Sequence, residues 1–254
     1  MTSPGMQAEM AGAFFDLDGT LLAPTSLEWR FIGYLLEREE ISSAQAGRWL
    51  ARLAGSFWRD PYGATAGNKS YLRGLRETLV DEWEKSLGPD FFCGGALAFF
   101  DEGLQRVAWH CAQSHRVFLV SGTLAPLARL AARYLAELVS AEIEVCATEL
   151  QVAPGRPPMW NGRIAGEHMS GGAKLRAARI LAARHGLDLS RSYAYGDSAG
   201  DVEMLEAVGH GIAVNPTRRL ARVARKRGWK TSVWEKTVGR PIVAARRLAS
   251  KAAR

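Results

Sequence analysis

Strands and helices alternate along the second half of this chain, and the alternation limits the folds open to it. Short apolar runs at 117–120 and 143–148 predict buried strands, and apolar residues three and four apart at 124–138 predict a helix between them. More strands are expected at 192–195, 211–214 and 229–233, and more helices at 173–185, 201–208 and 217–227. This order is typical of an α/β fold, a doubly wound, Rossmann-like parallel sheet with helices on both faces.

The first strand of this sheet is predicted just before two acidic residues. Asp16 and Asp18 follow Phe14-Phe15 and precede a Gly-Thr turn. Side chains alternate across a strand, but a strand that gives way to a turn at this point lets both carboxylates reach one pocket. One carboxylate can then attack phosphorus while the other acts as acid and base. The alternative is a purely structural role, in which Asp16 and Asp18 belong to an Asx-rich turn after the strand and take no part in catalysis.

A helical insert is expected between this strand and the rest of the sheet. Apolar residues recur at helical spacing in 27–39, 44–58, 69–87 and 96–114, with Pro and Gly between the segments. We therefore expect a core of 1–24 and 101–238, a helical cap of 25–100 and a basic tail of 239–254. Pro154-Gly155 and Asn161-Gly162 predict a projecting hairpin or loop between 149 and 164. The aromatic residues of the cap are explained either as its own core or as an apolar pocket for a leaving group.

Two further polar clusters follow predicted strands, where doubly wound sheets bind their ligands. Ser121 and Gly122 lie between a strand and a helix, so a hydroxyl and free backbone N–H groups can form a phosphate seat there. Helix capping by Thr123 is the alternative. Lys174 lies in the first turn of a helix, where a cation opposes the helix dipole. It can neutralise a phosphate or Asp16, although a solvated lysine remains the alternative.

A last acidic pair follows the strand predicted at 192–195. Asp197 lies on the turn and Asp201 opens the next helix, four residues later. Two carboxylates so placed fit a hard cation, and Mg²⁺ needs only one or two protein carboxylates beside a phosphate. Helix capping alone explains one of the two aspartates but not both.

The four clusters and their order resemble the haloacid dehalogenase (HAD) superfamily. The resemblance covers about 13–22 and 117–233, and the position of the helical cap is similar to the first cap type of that family. The run Gly196-Asp197-Ser198-x-x-Asp201-x-x-Met204-Leu205 looks closest to subfamily IB, the phosphoserine phosphatase-like enzymes. The resemblance implies a HAD core with an inserted cap and a magnesium-dependent phosphomonoester hydrolase that forms an aspartyl-phosphate.

The resemblance implies a role for each residue of the first motif. Asp16 would be the nucleophile and a Mg²⁺ ligand. Asp18 would be the acid and base, and would bind Mg²⁺ through its backbone carbonyl. Thr20 would orient Asp18. The acid/base two residues after the nucleophile favours phosphoester hydrolysis, since dehalogenases of this fold lack it.

The other motifs would bind the phosphoryl group and the metal. Ser121 and the Gly122 N–H would bind the transferring phosphoryl group, and Lys174 would stabilise its charge. Asp197 would hold Mg²⁺, while Asp201 would support Lys174 and the metal's waters.

Departures from the family pattern concern the substrate. Gly19, Thr25 and Gly200 stand where phosphoserine phosphatases commonly have other residues, and the cap offers cations only loosely, at Lys69, Arg73 and Arg76. We therefore expect a small or amphiphilic phosphomonoester other than phosphoserine. The alternatives are phosphoserine phosphatase proper and a membrane-associated basic protein with vestigial phosphatase activity. A receiver domain, which also has an aspartate at a strand end, needs no Asp18 and tolerates no insert of this size.

Charge and cysteine usage bear on partners and compartment. The net charge is +7, and 218–254 contains thirteen of the 33 Lys and Arg residues against one acid, Glu235. Such a tail favours weak contact with anionic membranes, and no specific nucleic-acid partner is expected. The three cysteines lack disulfide or zinc spacing, and neither an apolar signal region nor a long apolar run is present. A cytoplasmic protein is expected.

The tail predicts salt-sensitive binding to anionic vesicles. On a helix from Pro241, apolar residues form only a narrow stripe, so attraction to anionic lipid should dominate over insertion at about 1 kcal/mol per basic residue near the surface. Co-sedimentation with anionic and neutral liposomes should therefore favour the anionic ones and weaken steeply with salt. A chain ending at Val238 should sediment less. Equal sedimentation of both chains would contradict the prediction.

Overall fold

A computed structural model describes residues 10–23, 26–57, 69–88, 91–92, 98–155 and 157–235, without the side chains of 50 and 52–57. The basic tail from 239 onward therefore lies outside the described residues. No helix in the described ranges is long and apolar enough to cross a membrane.

A six-stranded parallel sheet forms the centre of the structure, which confirms the α/β class. The strands are β1 (Gly12–Phe15), β2 (Arg116–Leu124), β3 (Ile143–Thr148), β4 (Leu150–Ala153), β5 (Met159–Ile164), β6 (Tyr193–Gly196), β7 (His210–Val214) and β8 (Lys230–Ser232). Of these, β4 and β5 form a separate antiparallel hairpin. The order across the sheet is β3-β2-β1-β6-β7-β8. The first strand is thus central, and the strand order changes direction beside it. In doubly wound sheets this crevice is where ligands bind.

The helices follow the predicted alternation in the second half of the chain. They are α1 (Leu27–Glu37), α2 (Ser43–Phe57), α3 (Leu79–Ser86), α4 (Asp101–Ala112), α5 (Ala125–Val139), α6 (Gly172–His185), α7 (Val202–Glu206) and α8 (Arg218–Arg227). Side-chain oxygens begin two of them: Ser26 accepts from Trp29 N before α1, and Thr217 accepts from Leu220 N before α8. Each oxygen satisfies a backbone donor that has no partner within the helix.

The core lies on both faces of the sheet, because neighbouring residues of β1 point to opposite faces. Phe14 stacks on Phe118, with ring centroids 5.0 Å apart, in a cluster under α6, α7 and α8. Phe15 stacks on Tyr195 at 4.4 Å, in a larger cluster that continues into the helices of 27–83. A strand that is buried on both faces has a continuous apolar sequence, as residues 13–15 do.

Two helices predicted from spacing are shorter in the structure. The segment 69–87 was expected as one helix, but it forms a 3₁₀ turn at Ser70–Leu72 and then α3, with Gly74 between them at φ +80°. Gly74 N donates to Trp160 O at 2.8 Å, so this backbone pairs with the hairpin instead of continuing a helix. The helix expected over 96–114 begins only at Asp101, because Phe100 N donates to Leu21 O at 2.9 Å.

The hairpin predicted between 149 and 164 is present as β4 and β5, and it packs on the inserted segment. Trp160 is fully buried, and its N–H groups donate to Leu75 O at 2.9 Å and to Glu77 Oε1 at 3.3 Å. Gly162, at φ +79°, lies so close to Ser70 that a Cβ would come within 3.1 Å of its Cα. These contacts fix the segment that carries Lys69 beside the carboxyl ends of the strands.

Candidate active site

The carboxyl end of β1 carries the two predicted catalytic aspartates into one site. Asp16 N donates to Tyr195 O at 3.0 Å, which continues the strand pairing, and Asp16 as a residue is only 6% exposed. Asp18 lies in the turn that follows, where its Oδ1 accepts from Leu27 N at 2.9 Å and its Oδ2 from the Thr123 hydroxyl. The first residue of α1 and the end of β2 therefore hold this carboxylate from two sides.

Gly19 lets the first acidic turn approach the last one. Its φ is +84°, and a Cβ on it would lie 2.6 Å from Asp197 Oδ2. A side chain here is thus excluded both by backbone conformation and by space. The departure from the family pattern at Gly19 has this local physical reason.

Lys174 joins Asp16 to Asp201. Its Nζ lies 2.6 Å from Asp16 Oδ1 and 2.5 Å from Asp201 Oδ1, and the lysine is only 3% exposed. Burial alone would lower the pKa of Lys174, but the two carboxylates raise it above its ordinary value, so the ammonium stays charged. The other Asp201 oxygen accepts from Ser198 N and Ser198 Oγ, both at 2.9 Å. Lys174 is therefore not a solvated surface lysine.

Three carboxylates converge as a candidate cation site. One oxygen each of Asp16, Asp197 and Asp201 lie within 4.8 Å of one another. Burial, together with Asp201 and Asp18, raises the pKa of Asp16 to about 7 against the opposing effect of Lys174. Burial, Asp16 and Asp201 raise the pKa of Asp197 to about 8. Carboxylate oxygens are hard donors, and a bound cation would offset the repulsion among them. The cluster therefore fits Mg²⁺. Because Asp201 is already bonded to Lys174 and Ser198, Asp16 and Asp197 are the candidate side-chain ligands of this site.

The end of β2 supplies the predicted phosphate seat. Ser121 is buried, its Oγ accepts from Thr123 N at 3.2 Å, and Gly122 lies beside it on the wall of the cavity. Thr123 does not cap α5, because the residue at the cap position is Leu124 and no side chain bonds there. Its hydroxyl instead donates to Asp18.

Thr20 does not make the contact that the resemblance implied. Its hydroxyl is buried without a hydrogen-bond partner among the described residues, and Thr123 bonds to Asp18 in its place. Thr20 N donates to Leu17 O at 3.3 Å, so the residue belongs to the turn rather than to the cavity wall.

The inserted segment contributes a buried polar cluster that the sequence did not single out. Lys69 Nζ lies 2.6 and 2.7 Å from the two Glu28 oxygens, and Tyr71 OH donates to Glu28 Oε1 at 2.6 Å. Burial and Glu28 raise the pKa of Tyr71 well above its ordinary value, so the phenol keeps its proton. Arg73 and Arg76 bond elsewhere, to Asn161 O and to acidic residues of the insert. Glu28 and Lys69 are 41 residues apart, so no local sequence pattern predicts that they form an ion pair.

Most of these groups line one cavity of about 360 Å³, but Thr20, Tyr71, Arg73, Arg76 and Asp201 are not among its lining residues. One wall carries the carboxyl ends of the strands, and the other carries Lys69, Glu28 and the apolar side chains of Trp29, Ile32 and Trp49. Phe31 and most other described cap aromatics belong to the core instead. Trp49 belongs to both the core and the cavity wall, and an apolar pocket for the leaving group stays a prediction. The side chains of Phe57 and Trp58 lie outside the described part of the chain. The cavity residues from the strand ends are Asp16, Asp18, Ser121, Gly122, Thr123, Lys174 and Asp197.

A parallel sheet with a paired aspartate motif, a buried lysine and a carboxylate cluster at its switch point is the arrangement of a hydrolase. The sequence profile of the haloacid dehalogenase-like hydrolases matches residues 13–206. The chain belongs to that family, and within it is phosphoserine phosphatase-like.

Relatives of known sequence support the same placement. The chain is 29% identical over 240 residues to "Phosphoserine phosphatase SerB1" of Mycobacterium tuberculosis, covering 87% of this chain and 70% of that one. It is 31% identical over 229 residues to "Inhibition of morphological differentiation protein" of Streptomyces azureus, covering 85% and 76%. The chain is accordingly an enzyme of the phosphatase type.

Solved structures share the fold. A protein of unknown function from Bordetella pertussis superposes with a TM-score of 0.71 at 26% identity, covering 88% of this chain and 98% of that one. A phosphoserine phosphatase solved as a phospho-aspartyl intermediate analogue superposes with a TM-score of 0.56 at 20% identity, covering 91% and 95%. The second likeness is to the fold alone.

The raised carboxyl pKa values predict a pH-dependent stability that metal removes. Asp16 and Asp197 bind protons in the folded chain well above their ordinary pKa of 3.8, so unfolding releases protons and the free energy of unfolding falls as the pH rises from about 5 to about 8. Urea unfolding in EDTA should show a fall of more than about 1 kcal/mol over this range. Saturating Mg²⁺ should flatten the dependence, since the cation favours the ionised carboxylates.

Asp197→Asn is the matched variant for this measurement. The amide cannot ionise, so the chelated variant should lose less stability between the two pH values than the parent chain. Identical pH profiles for parent and variant in EDTA would show that these carboxylates do not carry the effect.

Proposed function

We propose that this protein is a magnesium-dependent phosphomonoester hydrolase that works through an aspartyl-phosphate on a small or amphiphilic substrate. One observation carries the proposal: the nucleophile Asp16, the acid/base Asp18 and the phosphate seat at Ser121 line one cavity with Lys174 and Asp197. Separate structural roles for these residues would not require them to share a wall. Two partners belong to the proposal, a small-molecule phosphomonoester and, through the basic tail, an anionic membrane surface. A cytoplasmic location fits the free thiols of Cys111 and Cys146.

In the first step Asp16 attacks phosphorus. Lys174 occupies Oδ1, so the attack falls to Oδ2, and the ester P–O bond breaks as the new P–O bond forms. Asp18 gives its proton to the leaving oxygen. Burial raises the pKa of Asp18 against the opposing bonds from Thr123 and Leu27 N, which favours the protonated form needed for this step.

In the second step Asp18 takes a proton from water. The water oxygen attacks phosphorus, the bond to Asp16 breaks, and inorganic phosphate leaves. Ser121 and the Gly122 N–H hold the phosphoryl oxygens, and Lys174 offsets their charge. Asp16, Asp197 and the Asp18 backbone carbonyl would hold Mg²⁺, which would supply charge stabilisation for the phosphoryl group.

Phosphoserine phosphatase proper is the second candidate, because Glu28 and Lys69 place an anion and a cation in the cavity. A serine leaving group carries a carboxylate and an ammonium, which need a cation and an anion in the cavity. Here the cation and anion bond to each other at 2.6 and 2.7 Å, and phosphoserine would have to separate them. Each buried polar group left unpaired costs about 1–3 kcal/mol. We therefore keep a substrate other than phosphoserine as the first proposal.

Substituting the two aspartates tests the mechanism. Asp16→Asn should lower kcat by roughly 10⁴-fold or more, because an amide does not attack phosphorus. Asp18→Asn should lower kcat by about 10²–10⁴-fold, with the larger loss for poor leaving groups. Asp81→Asn, an exposed residue of α3, is the control and should keep the full rate. More than trace turnover by Asp16→Asn would remove this residue from the nucleophile role.

A substrate panel tests both the metal and the substrate class. Hydrolysis of aryl, alkyl, acyl-glycerol and amino-acid phosphates should cease in EDTA and return with Mg²⁺, whereas Ca²⁺ should restore it poorly because it favours more ligands and looser geometry. Phosphoserine should not have the highest kcat/KM of the panel. Full rates in EDTA would exclude the metal role of Asp197, and a clear preference for phosphoserine would establish the second candidate.

A further inference from the structure

His168 faces the catalytic cavity without a role in the steps above. It precedes α6 and lines the cavity beside Gly122. Its imidazole lies directly against Gly122, where a methyl group on the Cα would come within 3.2 Å of both Cε1 and Nε2. The charges of Lys69, Glu28 and Lys174 act on the ring.

The hydrogen bonds of Thr148 determine which ring nitrogen of His168 carries the proton. Thr148 Oγ1 is 2.8 Å from Gly122 O, and since a carbonyl only accepts, the single hydroxyl proton is used there. The same oxygen therefore accepts from its other neighbours, Met169 N at 3.1 Å and His168 Nδ1 at 3.1 Å. Nδ1 must carry a hydrogen. In a neutral imidazole the other nitrogen, Nε2, is then an acceptor.

The ring is neutral at physiological pH. Burial, with the positive charges of Lys69 and Lys174, lowers the pKa of His168 to about 4. Nε2 thus offers a lone pair to the cavity and no proton. It cannot bind the oxygens of a phosphoryl dianion, which are themselves acceptors.

Glu28 and Thr123, which line the same cavity, are already bonded. Both Glu28 oxygens accept from Lys69, one of them also from Tyr71, and the Thr123 hydroxyl donates to Asp18. No hydrogen bond to His168 Nε2 is present among the described residues. An acceptor on the wall of a ligand cavity bonds to water or to a donor on the ligand.

We propose that His168 is a specificity residue whose Nε2 accepts a hydrogen bond from a hydroxyl or ammonium group on the leaving alcohol. The inference rests on the proposed phosphatase function and narrows its substrate class. Monoesters of polyols or amino alcohols, with a donor close to the ester oxygen, are then preferred over simple alkyl phosphates. A substrate lacking that donor displaces water from Nε2 without replacing its hydrogen bond.

Three esters of one chain length test the inference: ethyl phosphate, 2-hydroxyethyl phosphate and 2-aminoethyl phosphate. With wild-type protein and Mg²⁺, kcat/KM should be about tenfold higher for at least one donor-bearing ester than for ethyl phosphate. The hydroxyl and ammonium arms show which donor is used. The intrinsic reactivities of the esters are the same for all variants. A change in the ratio of kcat/KM between a donor-bearing ester and ethyl phosphate therefore reports the contact with His168 Nε2.

Two substitutions at one position separate the two ring nitrogens. In His168→Asn the amide overlies Nδ1, so it keeps the bond to Thr148 and leaves the Nε2 position empty; the preference should fall to near the ratio of intrinsic reactivities. In His168→Gln the amide oxygen can reach the Nε2 position, so most of the preference should remain. Thr148→Val, nearly isosteric, removes the acceptor that fixes Nδ1–H and should weaken the preference without altering the ring. His210→Asn, an exposed histidine at the start of β7, is the control and should change nothing.

The outcomes distinguish this inference from the function on which it rests. A wild-type protein that hydrolyses neither these esters nor an aryl phosphate overturns the proposed function, and the inference with it. A wild-type protein that hydrolyses the aryl phosphate and shows the same ester ratio as His168→Asn and Thr148→Val overturns the inference alone. Loss of the donor preference in Glu28→Gln but not in His168→Asn would assign the donor to Glu28 and likewise overturn it.

Discussion

The buried ammonium of Lys174 is the interaction on which the site depends. Asp16 and Asp201 lie on loops that follow two neighbouring strands, and both are almost inaccessible to water. Two carboxylates at such short range repel each other, and the ammonium between them offsets that repulsion. Removing one partner from a buried ion pair typically costs about 3–5 kcal/mol, because the remaining charge stays unpaired. Lys174 thus stabilises the arrangement of the strand ends as well as the chemistry.

The position of β1 in the sheet explains why these groups meet. It pairs with β2 on one side and β6 on the other, so the loops after all three strands emerge at one edge. Gly19 removes the side chain that would separate the first loop from the third, and Thr123 ties the second to the first through Asp18. The catalytic wall is therefore determined by the core of the fold, and its geometry does not depend on which alcohol is esterified.

The opposite wall has a different origin. Its side chains come from α1, α2 and the turn that carries Lys69, and the hairpin of β4 and β5 holds that turn in place. Its polar groups are paired within the wall, apart from the cavity-facing nitrogen of His168 at the junction of the two walls. Under the proposed function, this division gives bond cleavage to the strand ends and choice of the leaving group to the insert and to His168.

The sequence by itself determined the alternating fold and most of the catalytic wall. Asp16, Asp18, Ser121, Lys174, Asp197 and Asp201 each lie within a few residues of a strand end or helix start, and a parallel sheet brings such positions to one edge. Tertiary structure alone decided the contacts between distant segments: Thr123 reaches Asp18 across 105 residues, and Lys69 reaches Glu28 across 41. It also replaced a predicted helix with a turn at Gly74, because hydrogen bonds to the hairpin outweighed helical spacing. Local patterns report backbone preference and burial, whereas these contacts depend on which loops the packed sheet places side by side.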